Sequence, residues 1–345
     1  MAYCRPIAGS KYGSIAMRRL DIVIPVYNEA TSLPSFHGCL RTVAASLEGY
    51  AVRYIYVNDG STDETQTVLT SLTASDPAVT ALELSRNFGH QAALSAGLTH
   101  ADADIVIMMD GDGQHPPALL PEILKLHDCG YDIVQTRRLD RGASLKRFTS
   151  RAFYRLINRL GGLRLPEGAA DFRLISRTVL LALRDVREYH RFYRGLIPWL
   201  GFRTVLLPYE PAERLAGSSK YSLRRMLRLA SDGIFSFSLT PLRLGILTGG
   251  LFLCLAAAEA LYVGFLWLSG RRGALVPGWS SLIVLSTVGF GAIMILLGFI
   301  GVYVGMIFQE VKRRPVYVVR SVIEHGVSAE DPAAQSAPRG GAGTA

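Results

Sequence analysis

Hydrophobic positions fall into two regimes along the chain. Through the first 135 residues, short apolar runs alternate with stretches of helical spacing. Residues 20–27 (LDIVIPVY), 54–57, 81–84 and 104–109 (DIVIMM) are brief apolar runs, which predicts buried strands. Residues 31–47, 63–72 and 91–98 carry helical periodicity, and the second of these opens on Ser, Thr and Asp, a helix-start signal. Strands alternating with helices argue for a mostly parallel α/β sheet, in which ligands sit at the carboxyl ends of the strands. Asp59 follows the second strand, and Asp110 and Asp112 follow the fourth. Beyond Pro116-Pro117 the alternation loosens. Residues 132–135 and 204–208 read as further strands, 146–160 as a basic amphipathic helix, and 221–237 as a helix whose Arg224, Arg225 and Arg228 suit a membrane interface.

The second regime begins near residue 240. Residues 244–268 are apolar but for Glu259, and residues 281–308 carry no charge. Each run exceeds the roughly 20 residues that cross a bilayer, so two spans are expected. Glu259 inside the first is costly and is a candidate for function or for pairing within the membrane. Arg224, Arg225, Arg228 and Arg243 precede the pair and Lys312, Arg313, Arg314 and Arg320 follow it, against Arg271 and Arg272 in the connecting loop. That bias places the catalytic part and both termini in the cytoplasm, on the inner membrane. The organisation expected is a disordered leader at 1–17, a catalytic domain at 18–219, interfacial amphipathic helices at 220–243, two transmembrane helices at 244–308, and a tail at 309–345 with a disordered end.

Charge narrows the partners. The net charge is +9, and charged residues make up only 19% of the 345 residues. Soluble proteins carry roughly 25%, so the deficit fits a membrane protein. The positive balance suits an anionic surface or a phosphorylated substrate. Many of the arginines lie between 137 and 228, just before the apolar half, and neither finger spacing nor an aromatic RNA-binding strand pattern is present, which argues against nucleic acid. The apolar spans and the interfacial helix are compatible with a homo-oligomer.

The strongest local chemistry is Asp110-Gly111-Asp112 at a strand end, followed by Gln114-His115-Pro116-Pro117. Two carboxylates one residue apart can share a divalent cation, and Mg²⁺ or Mn²⁺ binds diphosphates jointly with such oxygens. Four further segments accompany it: residues 24–29 (IPVYNE), 57–63 (VNDGSTD), 85–90 (SRNFGH) and 168–174 (GAADFRL).

In order and spacing these segments resemble the inverting family 2 glycosyltransferases, and most closely the polyprenyl-phosphate branch, over roughly residues 20–241. The resemblance implies a GT-A nucleotide-sugar-binding sheet, with Pro25, Tyr27, Glu29, Asp59 and Gln114 on the nucleotide and Asp112 and Asp110 at the metal. It implies Asp171 as base or orienting group, with a structural pairing to Arg173 or another arginine as the alternative. The common D-A-D-L-Q of the branch stands here as Asp110-Gly111-Asp112-Gly113-Gln114, which loosens the loop and removes no ligand. For the acceptor phosphate the basic candidates rank Arg214 and Lys220, then Arg137, then Arg194 and Arg191, because guanidinium forks match phosphate. The function implied is transfer of a hexose from a nucleotide sugar, UDP-glucose or a related UDP-sugar first, to undecaprenyl or another polyprenyl phosphate. GDP-mannose transfer is the alternative donor reading. A non-catalytic membrane scaffold is the alternative class, disfavoured by the complete aspartate set.

Overall fold

The computed structural model describes residues 17–139, 169–189, 191–210, 240–269 and 278–329. Of these, residues 17–210 and 315–329 belong to one compact unit and residues 240–314 to a second. The first unit opens with β1 (Arg18–Val26), α1 (Leu33–Ala45), β2 (Tyr50–Asn58), α2 (Thr65–Ser75), β3 (Val79–Leu84), α3 (His90–His100) and β4 (Ile105–Met108). A short 3-10 turn leads into α4 (Leu120–Asp128), followed by β5 (Ile133–Arg138), β6 (Ala169–Ser176), α5 (Arg177–Asp185), α6 (Tyr193–Trp199) and β7 (Thr204–Tyr209). The second unit holds α7 (Thr240–Leu268) and α8 (Trp279–Lys312). The chain then rejoins the first unit with β8 (Val319–Glu324) and β9 (Val327–Ala329).

The nine strands among the described residues form one sheet in the order β7-β5-β6-β4-β1-β2-β3-β8-β9. The central four, β3-β2-β1-β4, are parallel as the βα alternation requires. The flanks correct the expectation of a mostly parallel sheet: β6 runs antiparallel to both β4 and β5, and β8 antiparallel to β3. The core is aliphatic. Leu20, Ile22, Val23 and Ile24 of β1 are fully buried, each contributing about 1.5–3 kcal/mol on transfer from water.

One packing feature positions the site. Helix α3 is lined by Ala92, Ala93, Ala96 and Gly97, all on its buried face. A Cβ on Gly97 would stand 2.3 Å from Val23 Cγ1, so only glycine lets α3 lie this close to β1. The close approach sets His90, at the helix start, over the strand ends.

In the second unit, α7 and α8 pack with Phe252 beside Gly289. Within α8, Val288–Lys312 is long and apolar enough to cross a membrane, and none of it is buried. The expected interfacial segment and the basic helix at 146–160 lie outside the described residues but for the start of α7, as does the side chain of Glu259. The region expected as a tail contributes β8 and β9 instead.

Candidate active site

The carboxyl ends of β1, β2 and β4 converge, and three loops are stitched together there. Asn28 takes a left-handed conformation (φ 56°), which asparagine tolerates. Its backbone N–H donates to Ser61 Oγ (3.0 Å), and its Oδ1 accepts from the Thr62 N–H (2.8 Å). Glu29 N–H donates to Thr65 Oγ1 (2.9 Å). Pro25 is buried at the end of β1, whereas Tyr27 beside it is 43% exposed.

Asp59 is buried, and its two oxygens accept from the Phe88 and Gly89 N–H groups at 2.8 and 2.9 Å. Burial raises its pKa, with these two donors opposing the shift. Gly60 (φ 62°) passes so near the third loop that a Cβ would meet the Arg86 carbonyl carbon at 2.4 Å. The second and third loops are therefore one packed body, with Asp59 as its anchor.

The fourth segment supplies the carboxylates. Asp110 and Asp112 are half-buried in the turn after β4. Gly111 sits against the end of β1, where a Cβ would stand 2.8 Å from Val26 Cγ1. Gly113 has φ 78°, a conformation that favours glycine, so glycine in place of leucine matches the backbone of this turn. Asp112 Oδ1 accepts from the Gln114 N–H (3.0 Å), and Gln114 Oε1 accepts from Arg138 (2.9 Å). His115, buried and stacked on Phe172 at 5.1 Å, accepts the Asp110 N–H on Nδ1 (2.8 Å).

Asp171 lies on β6, buried, at the centre of a charge network. Arg194 donates to it through Nε (3.0 Å) and Nη2 (2.7 Å), and Arg173 through Nη2 (3.1 Å). His90 Nε2 lies 3.5 Å from Asp171 Oδ2 and 3.6 Å from Asp110 Oδ1. Burial opposes ionisation of Asp171, but Arg194 and His90 outweigh it and hold the carboxyl well below its usual range. Burial likewise opposes the charge on His90, yet Asp110 and Asp171 together raise it to about 8. Arg173, 1% exposed, is lowered to about 10 by burial despite its aspartate.

The structure thus brings together Asp59, Asp110, Asp112, Gln114, Asp171 and Arg194. It sends Arg191 elsewhere: this side chain donates to the Glu188 carbonyl (3.2 Å) and reaches Ser95 Oγ (3.5 Å). With Thr99, Arg184 and Tyr317 it lines a cavity of about 490 Å³. Arg137 is exposed at the end of β5. Arg214 and Lys220, ranked first for the acceptor, lie outside the described residues. The pairing of Asp171 with Arg173, the structural alternative read from the sequence, is present, whereas His90 and His115 carry site geometry that the sequence did not assign. Each lies within or beside a recognised segment, which is the signal that was there to use.

A divalent cation fits this donor set. Asp110 Oδ1 is buried and has no hydrogen-bond donor, as a ligand oxygen would be. Among the described residues no cluster of three ligating side chains forms.

The family model described as Glycosyl transferase family 2 matches residues 21–184. A prophage bactoprenol glucosyl transferase homolog of Escherichia coli is 36% identical over 307 residues, 88% of this chain and 99% of its own. The bactoprenol glucosyl transferase of Shigella phage SfII is 37% identical over 88% of this chain and 97% of its own. A solved mannosyltransferase from Pyrobaculum calidifontis, in complex with GDP-Man and Mn²⁺, covers 81% of this chain and 87% of its own at 18% identity and TM-score 0.41. Relatives this similar over nearly their whole length, carrying the family's match over the sheet just described, show that the chain belongs to glycosyltransferase family 2 and is a glycosyltransferase.

Proposed function

We propose that the protein transfers a hexose from a nucleotide sugar to a polyprenyl phosphate at the cytoplasmic face of a membrane. The observation that carries this reading is the position of His90 between Asp110 and Asp171, within 3.6 Å of both. It ties the turn that would meet the donor diphosphate to the buried charge cluster that would meet the acceptor.

Tyr27, Glu29, Asp59 and Gln114 are the residues that would meet the nucleotide, and Asp110 and Asp112 would hold Mg²⁺ or Mn²⁺. When bound, the ion supplies Lewis-acid stabilisation of the charge that develops on the leaving phosphate. Asp171 acts as an orienting group rather than a base. Its proton affinity is held down by Arg194 and His90, and an acceptor phosphate, with a second pKa near ~6, already carries the attacking charge. Arg194, aligned by Asp171 and still 26% exposed, is the cation placed to meet that phosphate. The names of the two relatives, bactoprenol glucosyl transferases, support glucose as the sugar and a polyprenyl phosphate as the acceptor, which makes UDP-glucose the first donor to test.

The return of the chain supports two membrane crossings. Strand β8 pairs with β3, so residues 319–324 lie on the same side of any membrane as the catalytic sheet. The chain between β7 and β8 therefore crosses an even number of times, so a crossing by α8 calls for a second one, which α7 has the length to make. The basic residues flanking the pair put that side in the cytoplasm.

Membranes containing the protein, supplied with undecaprenyl phosphate and a panel of labelled UDP- and GDP-sugars, test the proposal. Label from UDP-glucose is expected in the lipid extract, with strong loss in Asp112→Asn. Label from GDP-mannose alone would replace the donor. No lipid-linked label from any donor, or an undiminished Asp112→Asn, would overturn the proposal.

A further inference from the structure

The strand that follows the long apolar helices meets the donor side of the site. Its pairing with β3 is regular from Thr80↔Glu324 to Glu83↔Ser321, and then slips, so that Leu84 faces Val319. Arg320 is the extra residue of this bulge. Bulges re-aim a side chain out of the sheet's alternation. Here the guanidinium turns back along β3 and spans Leu84. Nη1 donates to Glu83 Oε1 (2.8 Å) and Nη2 to the Ser85 carbonyl (2.9 Å). Ser321 Oγ donates to the other Glu83 oxygen (3.0 Å), and the Ser85 N–H donates to the Val318 carbonyl (2.9 Å). Both backbone groups of Ser85 are therefore held by the returning segment.

Ser85 is the first residue of the loop that reaches Asp59. One residue on, Arg86 lies under Gly60 with no room for a side chain, and its guanidinium stacks over the Phe88 ring at 4.0 Å. Three residues on, Phe88 and Gly89 donate to the Asp59 carboxylate. The route from the bulge to the nucleotide side is a run of five residues with a contact at nearly every one.

We propose that Arg320 is a positioning residue for the donor: acting through Ser85, it fixes the 85–89 loop and hence Asp59. This rests on the reading of Asp59 as a nucleotide-side residue. Arg320 touches no substrate and acts only through the loop. As an ion pair it is 59% exposed and worth little to stability, so its removal leaves the fold in place. Its effect is expected on donor binding, since a loop free to shift binds nucleotide only in the fraction of time it is correctly placed.

The test uses the full-length protein in detergent, titrated with UDP and in parallel with GDP, the tighter binder serving as probe. Wild type, Asp59→Asn, Arg320→Ala, Arg320→Lys and the double variant Asp59→Asn/Arg320→Ala are compared, with thermal unfolding recorded for each. Arg320→Ala is expected to weaken nucleotide binding about 3- to 10-fold, the size of one charge-assisted hydrogen bond partly offset by solvent. Arg320→Lys, a single point charge without the fork, should recover part of that. The double variant should bind less weakly than the two single losses multiplied, because both act on one loop. Unchanged affinity in Arg320→Ala alongside a loss in Asp59→Asn overturns the inference, as does strict multiplication of the two losses. Unchanged affinity in Asp59→Asn overturns instead the nucleotide-side reading on which it rests.

Discussion

Arg194 grips Asp171 with two near-parallel hydrogen bonds, Nε to Oδ1 at 3.0 Å and Nη2 to Oδ2 at 2.7 Å. The pair joins α6 to β6, and Arg173 beneath it joins the same carboxylate to the Tyr193 carbonyl at the start of α6. Lysine cannot reproduce a fork on a carboxylate. Arg194→Lys is therefore expected to lower kcat/KM about 10- to 100-fold, roughly the 1.4–2.7 kcal/mol of one lost charge-assisted bond. Steady-state assay against polyprenyl phosphate measures this, and wild-type kinetics in that variant would remove Arg194 from the site.

Asp171→Asn probes the other half of the pair. Arg173 is almost wholly buried, and Asp171 is its only ion-pair partner among the described residues. Removing one member of a buried pair strands the other, at a cost of about 3 kcal/mol or more. The variant should unfold at clearly lower temperature than Arg194→Lys, whose charge remains. Equal midpoints for the two would show that Arg173 does not depend on Asp171.

The central sheet was legible because its strands are uniformly apolar and its helices periodic. Strand β6 was not legible as a strand, although its motif was recognised. Its sequence AADFRLIS places Asp171 and Arg173 among buried residues, and two interior charges break any apolar run. Strand β8 was hidden differently. Its residues VRSVIE, held between β3 and the three-residue edge strand β9, are partly exposed to solvent, and they follow a long apolar pattern after which a tail is the natural reading. The aspartate turn after β4 and the loops after β1, β2 and β3 were marked by motifs, whereas the contacts of His90 and His115 depend on distances that spacing does not encode. Arg191 shows the opposite error. It is an arginine in a suggestive segment whose side chain is directed along α3 to Ser95.

The approach of α3 to the sheet gives a prediction about packing. Gly97→Ala places a methyl 2.3 Å from Val23 Cγ1, inside any tolerable contact. Overpacking of this kind costs about 1–3 kcal/mol. Trimming the obstacle with Val23→Ala in the same chain should return part of that loss, although Val23→Ala alone is destabilising. Thermal unfolding of the three variants decides it, and simple additivity would show that the clash is relieved by movement of the helix instead.

Acid stability should depend on His37. This side chain of α1 is buried, with Nδ1 3.0 Å from the Tyr56 hydroxyl and Nε2 3.5 Å from Asp76. Burial lowers its pKa, Asp76 pulling the other way and Arg41 reinforcing the shift. The unfolded chain takes up this proton near ~6.5 and the folded chain only at lower pH, so the unfolded state binds more protons in between. The stabilising effect is full above the unfolded value and is lost as pH falls through the folded one. Unfolding midpoints should drop from pH 7 towards pH 5, and His37→Gln should flatten part of that slope. His100, lowered first by burial and also by Arg53, accounts for some of the remainder. An unchanged slope in His37→Gln would assign the acid sensitivity elsewhere.

The pairing of β8 with β3 makes the strongest prediction about topology. Leu84 faces Val319 and Thr80 faces Glu324, so the segment after α8 cannot be on the opposite side of a membrane from the sheet. With α8 as a crossing helix, the chain must already have crossed once before reaching it, and α7, at 29 residues or roughly 43 Å, has the length to do so. A short epitope inserted after Gly278 should then be reached by antibody on intact spheroplasts, while one placed after His325 should be reached only after the membrane is opened. Gly278 immediately precedes α8, and His325 lies in the turn between β8 and β9, so neither insertion interrupts a helix or strand. Exposure of the two epitopes on the same side would mean that α7 and α8 lie on the membrane rather than through it.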